Sequence, residues 1–151
     1  MFVLLTPVRN EKEQIEKLVK CILKSTFKPN LWIIIDDCST DGTGNEIKRF
    51  LNDNSFIHLI KSTGNAHEYM GMNYSQVLID GWTYCISKLE NKNISYIGIL
   101  DADIQFDSEY WVNLKNRLDS KKEVGIVSGA LTNNISGEIV FEKNQRHHLP
   151  R

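Results

Sequence analysis

Two carboxylates, Asp101 and Asp103, stand one residue apart directly after the apolar run 94–100. This run predicts a buried β-strand, and ligands of open α/β sheets bind outside the carboxyl ends of the strands. Carboxylate oxygens are good ligands for hard divalent cations such as Mg²⁺. The spacing therefore predicts a cation site that can hold a phosphate-bearing ligand. Aspartate is also common in turns that bind nothing, so the neighbouring segments decide between the two interpretations.

Two further polar loops are expected at the same edge of the sheet. The loop 7–11 follows the first predicted strand, and the loop 36–42 follows the second. With the aspartate pair, these loops contribute four acidic side chains: Glu11, Asp37, Asp101 and Asp103. A crevice lined by them is unfavourable unless a cation, or a ligand rich in hydroxyl and N–H donors, occupies it. The alternative is that the four acids are separate helix caps and turn formers.

Apolar runs alternate with helical patterns along the chain, and this order predicts an α/β fold with a mainly parallel sheet flanked by helices. The predicted strands are residues 2–5, 31–35, 56–60, 94–100 and 124–130. The first predicted helix begins with a capping box at Asn10 and Glu13 and ends near Ser25. Further helical patterns cover residues 47–51, 73–88 and 111–118. Asp107 or Ser108 is expected to cap the last of these helices.

Apolar and sulfur-containing side chains allow finer expectations. The helix 73–88 is expected to bury one stripe of side chains: Leu78, Trp82, Cys85, Ile86 and Leu89. The remaining tryptophans, Trp32 and Trp111, are also interpreted as core aromatics. The three cysteines, Cys21, Cys38 and Cys85, are widely spaced, which predicts reduced, buried thiols and a reducing compartment.

Length and charge limit the classes of protein that fit the sequence. The 151 residues suit one domain, here predicted as 1–131, followed by a hairpin and tail at 132–151 with a turn at 134–138. The net charge of −1, with both signs interspersed, predicts no basic face and no nucleic-acid partner. No apolar segment is long enough to span a membrane. The protein is expected to be cytoplasmic, either free or peripheral to the membrane.

Three segments of the sequence resemble, in order, the signatures of family 2 glycosyltransferases, which have the GT-A nucleotide-sugar-binding fold. They are Thr-Pro-Val-Arg-Asn-Glu at 6–11, Ile-Ile-Asp-Asp-Cys-Ser-Thr-Asp-Gly-Thr at 34–43 and Leu-Asp-Ala-Asp at 100–103. The resemblance runs over about residues 2–130. It implies inverting, metal-dependent transfer of a sugar from a nucleotide diphosphate sugar to a saccharide or lipid-linked acceptor. The implied cofactor is Mg²⁺ or Mn²⁺.

Position by position, the resemblance implies contacts to the nucleotide base. Pro7 and Arg9 are expected to wall the base, and Ile35 and Asp37 to bracket it, with the Asp37 carboxylate accepting a hydrogen bond from a ring N–H. The family commonly has tyrosine where this chain has Arg9. The planar guanidinium can stack on a base or favour a charged group, so the identity of the base stays open.

Other residues are implied to contact the ribose and the metal. Glu11 is placed near the base or ribose, Asp101 near the ribose and the metal shell, and Asp103 as the direct metal ligand. Asp36 is expected to support its loop from behind. The segment 61–74 matches the family poorly, and no role is assigned there.

The resemblance does not supply a catalytic base within this chain. After Glu123, the only acidic side chains in the sequence are Glu138 and Glu142, and they flank the predicted hairpin. The base is therefore expected beyond Arg151. The chain is then the donor-binding half of a longer enzyme. His147 and His148 are interpreted as solvated tail residues.

The alternative functions are a non-catalytic nucleotide-sugar-binding module and an Asp-x-Asp phosphatase. The phosphatase is disfavoured because such enzymes normally carry the aspartate pair after the first strand of their domain. In this chain Asp101 and Asp103 follow the fourth predicted strand.

Overall fold

The computed structural model describes residues 1–64, 70–89, 92–129, 132–135 and 138–141. Its elements, in chain order, are β1 (Phe2–Val8), α1 (Lys12–Lys24), β2 (Leu31–Asp36), α2 (Thr43–Leu51), β3 (Ile57–Lys61), α3 (Met70–Lys88), β4 (Tyr96–Ile99), α4 (Tyr110–Ser120), β5 (Thr132–Ile135) and β6 (Glu138–Phe141). The chain divides into two compact units, Met1–Val112 and Asn113–Arg151. The first unit carries the four-stranded sheet and the candidate site described below.

The first unit is built on a parallel sheet with the strand order β3-β2-β1-β4. The central strands β1 and β2 are almost wholly buried, as expected for parallel strands that are covered on both faces. Leu5 and Ile33 pack with Val77 of α3 on one face of the sheet. Because side chains alternate along a strand, Leu4 and Trp32 lie on the opposite face. The predicted α/β fold, with a parallel sheet flanked by helices, is confirmed.

Strand β4 differs from the expectation of a fully buried strand. It is shorter than the run 94–100 and lies at the edge of the described sheet. The side chains of Ile97 and Ile99 are therefore 52% and 53% exposed. An edge strand has a neighbour on only one side, which leaves part of one face open.

The prediction of a strand at 124–130 is wrong for the part of the run that the structure describes. Residues 124–129 have no strand conformation, and Ile126 is 92% exposed. A β-strand is stabilised by backbone pairing with a neighbour, and this run pairs with no described strand. The glycines within it, Gly125 and Gly129, further weaken a strand.

Helix α3 is confirmed up to Lys88, but its buried face is rotated from the predicted stripe. Val77, Cys85 and Leu89 are buried, whereas Trp82 is partly exposed and Ile86 is 56% exposed. The contact with the sheet is centred on Gly81, where an added Cβ would lie 2.9 Å from Ile35 Cδ1. Apolar residues occur around most of this helix, so the sequence pattern did not specify which stripe faces the sheet.

The remaining expectations for core residues are confirmed in part. Trp32 and Trp111 are buried, and the Trp32 indole N–H donates to the hydroxyl of Thr6 at 2.9 Å. Of the cysteines, all of which are free, only Cys85 is buried, and burial raises the pKa of its thiol. The Asp107 carboxylate accepts from the Glu109 N–H at 2.9 Å, just before α4 begins at Tyr110.

In the second unit, β5 and β6 pair antiparallel with Ile135 opposite Glu138, as the predicted hairpin requires. The turn residues between them and the tail 142–151, which includes His147 and His148, lie outside the described residues. Among the helices that the structure describes, none combines the length and the apolar character needed to cross a membrane.

Gly98 of β4 lies close to side chains of β1 and α4. An added Cβ would lie 2.9 Å from Leu4 Cδ1, 3.1 Å from Phe2 Cε2 and 3.2 Å from Trp111 Cη2. We expect Gly98→Ala to lower the free energy of unfolding by about 1 to 3 kcal/mol, the usual cost of overpacking. Chemical denaturation measures this change. The matched control is Gly125→Ala, since an added Cβ there meets nothing within 4 Å. An equal loss in both variants would contradict the prediction.

Candidate functional site

The loops that follow β1 and β2 are joined by hydrogen bonds from backbone N–H groups to side chains. The Asn10 N–H donates to Ser39 Oγ at 3.0 Å, and the Glu11 N–H donates to Thr43 Oγ1 at 2.9 Å. The Lys12 N–H donates to Asp41 at 3.1 Å. Asp41 thus binds the first N–H group of α1, and Ser39 and Thr43 bind the two N–H groups that precede the helix.

This arrangement replaces the capping box that the sequence predicted at Asn10 and Glu13, so that prediction is wrong. The residue at the N-cap of α1 is Glu11, and its side chain makes no capping hydrogen bond. Asn10 has a positive φ of 56°, and its side-chain oxygen accepts from the Thr40 N–H at 2.8 Å. A capping box is a local motif, whereas here the caps come from about 30 residues away.

The loop after β2 is held by its own aspartates and by one glycine. Asp36 is buried, and its carboxylate accepts from the Ser39 N–H at 3.0 Å, so it supports the loop from behind as expected. Gly42 has a φ of 98°, a left-handed conformation that glycine adopts without a Cβ clash. Asp41 accepts from the Thr43 N–H at 2.9 Å, which fixes the turn into α2.

A cavity of about 330 Å³ opens at the carboxyl ends of β1, β2 and β4. Its lining residues are Pro7, Val8, Arg9, Glu11, Asp37, Tyr74, Val77, Asp101, Ala102 and Asp103. The structure therefore brings together every candidate residue from the sequence except Ile35. The Ile35 side chain is fully buried in the core with Leu5 and Val77 and does not line the cavity.

Asp37 is the most unusual group in the cavity. The residue is 8% exposed, and its Oδ2 atom lies 3.5 Å from Arg9 Nη1. Its Oδ1 atom is buried and accepts no hydrogen bond from any residue that the structure describes. A buried carboxylate oxygen without a partner is costly to the folded chain, so Oδ1 is an acceptor suited to an N–H group of a ligand.

Burial and neighbouring carboxylates disfavour the charged form of Glu11. Burial raises the pKa of Glu11, and the charges of Asp103 and then Asp41 raise it further. Burial also raises the pKa of the Tyr74 hydroxyl, with a further contribution from Asp101. The negative potential at this edge of the sheet therefore favours a bound cation.

The donor atoms of the cavity fit a hard divalent cation that arrives with a phosphate ligand. Asp101 and Asp103 offer carboxylate oxygens, and no group of three or more metal-binding side chains occurs among the described residues. Mg²⁺ is usually held by one or two carboxylates, with water and phosphate oxygens completing the shell. A cation shared between the protein and a diphosphate is consistent with both observations.

Sequence reasoning missed the contribution of α3 to the cavity. Tyr74 and Val77 line it, and the Tyr74 hydroxyl donates to Asp101 Oδ1 at 3.5 Å. Tyr74 lies at the start of the predicted helix 73–88, but it also ends the segment 61–74, to which no role was assigned. Tyr74, Val77 and Gly81 have the spacing i, i+3 and i+7 of one helical face, and this pattern was the signal that could have identified Tyr74.

Asp80 ties α3 to the segment after β3. Its carboxylate accepts from the Thr63 N–H at 2.7 Å, from Ser62 Oγ at 2.9 Å and from Gln76 Nε2 at 2.9 Å. Partial burial raises the pKa of Asp80, but these hydrogen bonds outweigh burial, so the pKa lies below its ordinary value. The network holds in place the helix that carries Tyr74 and Val77.

We expect Asp80→Ala to lower the free energy of unfolding by about 1 kcal/mol at neutral pH, a low value for hydrogen bonds to a carboxylate because the site is partly exposed. Because folding lowers the pKa of Asp80, its carboxylate stabilises the folded state fully at pH values above the ordinary pKa of about 3.9. The difference between variant and parent therefore shrinks as the pH falls below that value. Denaturation curves at several pH values measure it. The exposed Asp53→Ala serves as the control, and a pH-independent difference at Asp80 would contradict the prediction.

Comparisons with known proteins identify the family. The sequence model of the family described as Glycosyl transferase family 2 matches residues 3–149. TuaG of Bacillus subtilis (strain 168), a glycosyltransferase assigned to teichuronic acid biosynthesis, is 27% identical over 99 residues, which cover 66% of this chain and 34% of TuaG.

Solved structures share the fold at low sequence identity. Staphylococcus aureus TarS 1–349, in complex with UDP-GlcNAc, matches with a TM-score of 0.55 and 18% identity over 79% of this chain and 31% of that chain. The mannosyltransferase PcManGT from Pyrobaculum calidifontis, in complex with GDP-Man and Mn²⁺, matches with a TM-score of 0.55 and 20% identity over 78% of this chain and 32% of that chain. These likenesses confirm the GT-A fold.

The chain spans about a third of the length of these relatives. Glu138 lies on β6, but its side chain and all of Glu142 are outside the described residues. The family match extends over almost all of the sequence. The chain therefore belongs to glycosyltransferase family 2.

Proposed function

We propose that the cavity binds a nucleotide diphosphate sugar together with Mg²⁺ or Mn²⁺, as the sugar-donor site of a glycosyltransferase. One observation carries the proposal: a single cavity is lined by Asp37, whose buried Oδ1 atom accepts from no described residue, and by the carboxylates of Asp101 and Asp103. The first is an acceptor for a base N–H, and the pair can hold a cation on a diphosphate. The structures of TarS with UDP-GlcNAc and of PcManGT with GDP-Man and Mn²⁺ support the same class of ligand.

The base and ribose are assigned to the loops after β1 and β2. Pro7 and Arg9 line the same cavity as Asp37, so they can wall the base whose N–H donates to Asp37 Oδ1. Glu11 is close enough to Asp103 for the two charges to interact, which supports assigning Glu11 to the ribose. Ile35 lies in the core, so we assign it no ligand contact in this proposal.

Asp103 is assigned as the metal ligand, and Asp101 as a carboxylate beside the ribose and the metal shell. A bound divalent cation would stabilise the negative charge that develops on the departing nucleoside diphosphate. The Tyr74 hydroxyl donates to Asp101, so it can fix the orientation of that carboxylate. Tyr74 is therefore a positioning residue in this proposal.

The proposed reaction is a direct displacement at the anomeric carbon with inversion of configuration. The acceptor hydroxyl of a saccharide or lipid-linked acceptor attacks while a general base removes its proton. No described residue of the cavity is assigned as this base. The chain spans only about a third of the length of its relatives. The acceptor site is not assigned to described residues either.

Calorimetric titration with UDP and GDP, each with Mn²⁺ and with a chelator, tests the proposal. We expect at least one of these nucleotides to bind, with an affinity that falls by about tenfold or more when the cation is removed, because the cation bridges the diphosphate to Asp103. If neither nucleotide binds in the presence of Mn²⁺, the proposal is wrong. Adding a donor sugar and acceptors to the same protein then separates a transferase from a non-catalytic nucleotide-sugar-binding module, which would bind the donor without transferring sugar.

A further inference from the structure

Asp80 is the only charged residue of α3 before the helix ends at Lys88. It does not line the cavity, yet both of its carboxylate oxygens accept hydrogen bonds. Oδ2 accepts from the Thr63 N–H at 2.7 Å and from Ser62 Oγ at 2.9 Å. Oδ1 accepts from Gln76 Nε2 at 2.9 Å and from Thr63 Oγ1 at 3.0 Å. The carboxylate therefore anchors α3 to the segment that follows β3.

The same segment is attached to the loop that follows β2. The Ser62 N–H donates to the backbone oxygen of Asp36 at 2.9 Å, and Asp36 directly precedes Asp37 of the cavity. Ser62 is thus bonded both to Asp80 of α3 and to the chain that leads into the cavity. Hydrogen bonds therefore connect α3 to one part of the cavity wall.

A second part of the wall depends on the orientation of α3. Tyr74 and Val77 of this helix line the cavity, and the Tyr74 hydroxyl donates to Asp101 Oδ1 at 3.5 Å. Tyr74 precedes Asp80 by less than two helical turns, which is about 9 Å along the helix axis. Because the hydrogen-bonded backbone between them is stiff, a rotation of α3 at Asp80 displaces the Tyr74 hydroxyl.

Two kinds of contact hold α3 in place. A Cβ on Gly81 would lie 2.9 Å from Ile35 Cδ1, so the helix approaches the sheet closely at this point. Apolar packing of this kind is not directional, and it limits the distance between helix and sheet more than the rotation of the helix. Hydrogen bonds are directional, so those of Asp80 fix the rotation of α3 about its own axis.

We infer that Asp80 is a positioning residue of the donor site, because it sets the rotation of α3 that brings the Tyr74 hydroxyl to Asp101. This inference rests on the proposed donor site and adds a residue that acts on it from outside the cavity. All the contacts that carry it lie within the first unit.

A double-mutant cycle tests the inference. Calorimetry in excess Mn²⁺ gives the dissociation constant of UDP or GDP, whichever the parent chain binds more tightly. We expect Asp80→Ala to weaken binding about 3- to 10-fold, a usual effect for a residue that modulates a site without touching the ligand. Tyr74→Phe is expected to weaken it about two- to fivefold, because it removes one hydrogen bond. The double variant is expected to bind as Asp80→Ala does, within about twofold, since a displaced hydroxyl has no contact left to lose.

Losses that multiply in the double variant would overturn the inference, because Asp80 would then act independently of Tyr74. Asp80→Asn gives a second criterion. Its amide oxygen can still accept from the Thr63 N–H and from Ser62 Oγ, so we expect binding within about twofold of the parent chain. If Asp80→Asn binds as weakly as Asp80→Ala, the charge of the carboxylate matters and the orientation of α3 does not.

Asn30→Ala is the matched control for stability. Asn30 Oδ1 accepts from the Phe2 N–H at 2.8 Å at the amino end of β1, whereas the cavity lies at the carboxyl end. This variant also loses hydrogen bonding that supports the fold, but it is expected to bind the nucleotide as the parent chain does. An equal loss of affinity in Asn30→Ala and Asp80→Ala would show a general effect of destabilisation and would contradict the inference.

The same titrations separate the inference from the proposed function. If the parent chain binds neither nucleotide with Mn²⁺, the proposed function fails, and the inference fails with it. If the parent chain binds and Asp80→Ala binds equally well, only the inference fails. Melting temperatures show which variants are folded during the titration. Ser62→Ala, which removes one donor to Asp80, replaces Asp80→Ala in the cycle if that variant is unfolded.

Discussion

Asp37→Ala is expected to weaken the binding of the preferred nucleoside diphosphate by about 10- to 100-fold, while the ligand-free chain stays as stable as the parent or becomes more stable by about 1 kcal/mol. The loss of affinity follows because the variant removes the acceptor for the base N–H. Stability is maintained because the carboxylate has one buried oxygen, Oδ1, without a partner among the described residues and only a 3.5 Å contact to a half-exposed arginine. Calorimetry and chemical denaturation measure the two quantities.

Asp36 provides a matched comparison, since it is the neighbouring residue and is buried to a similar degree. Its carboxylate accepts from the Ser39 N–H at 3.0 Å, so Asp36→Ala is expected to lower the free energy of unfolding by about 1.5 to 3 kcal/mol. Opposite effects on stability in two adjacent aspartates would identify one as a ligand contact and the other as a loop support. A large loss of stability in Asp37→Ala would show that its carboxylate is structural.

Asp103→Ala is expected to remove the Mn²⁺ dependence of nucleotide binding. We expect the parent chain to bind the diphosphate more tightly with Mn²⁺ and the variant to lose about 1.5 to 3 kcal/mol of that gain, the usual effect of removing a charged partner. This loss corresponds to about 10- to 150-fold in affinity. The physical reason is that Asp103 is the proposed direct ligand of the cation on the diphosphate. Titrations with Mn²⁺ and with a chelator give the dependence, and electron paramagnetic resonance of free Mn²⁺ reports metal binding directly.

Two further variants sharpen the metal test. Asp103→Asn keeps the shape of the side chain and removes its charge, so it is expected to behave like Asp103→Ala. Asp53→Ala removes an exposed carboxylate from another part of the first unit and is expected to leave Mn²⁺ dependence unchanged. Unchanged Mn²⁺ dependence in both Asp103 variants would show that the cation is held by other groups.

The sequence predicted the elements that place the site. The strands β1, β2 and β3 and the helices α1 and α3 appear where the apolar runs and the helical spacing indicated them. These patterns are local, because a strand buried on both faces must be apolar over several consecutive residues. The loops that follow such strands gather at one edge of a parallel sheet, and Glu11, Asp37, Asp101 and Asp103 do line one cavity.

The expectations that were wrong involve contacts between distant segments. The first N–H group of α1 is bound by Asp41 of the loop after β2, so the local motif at Asn10 was misleading. The buried face of α3 is set by the close approach of Gly81 to Ile35 and not by the number of apolar residues on each side. The run 124–130 has the composition of a strand but pairs with no described neighbour, and composition alone does not supply a partner.

By itself, the sequence determined the parallel α/β fold, the family and the set of acidic residues at the sheet edge, because periodicity and short ordered motifs carry that information along the chain. Only the tertiary structure decided how these residues are paired. It placed Arg9 beside one oxygen of Asp37 across 28 residues of sequence, left the other oxygen buried without a described donor, and added Tyr74 to the cavity. Whether a buried oxygen has a partner depends on distances of a few tenths of an ångström between separate segments, and no pattern along the chain encodes such distances.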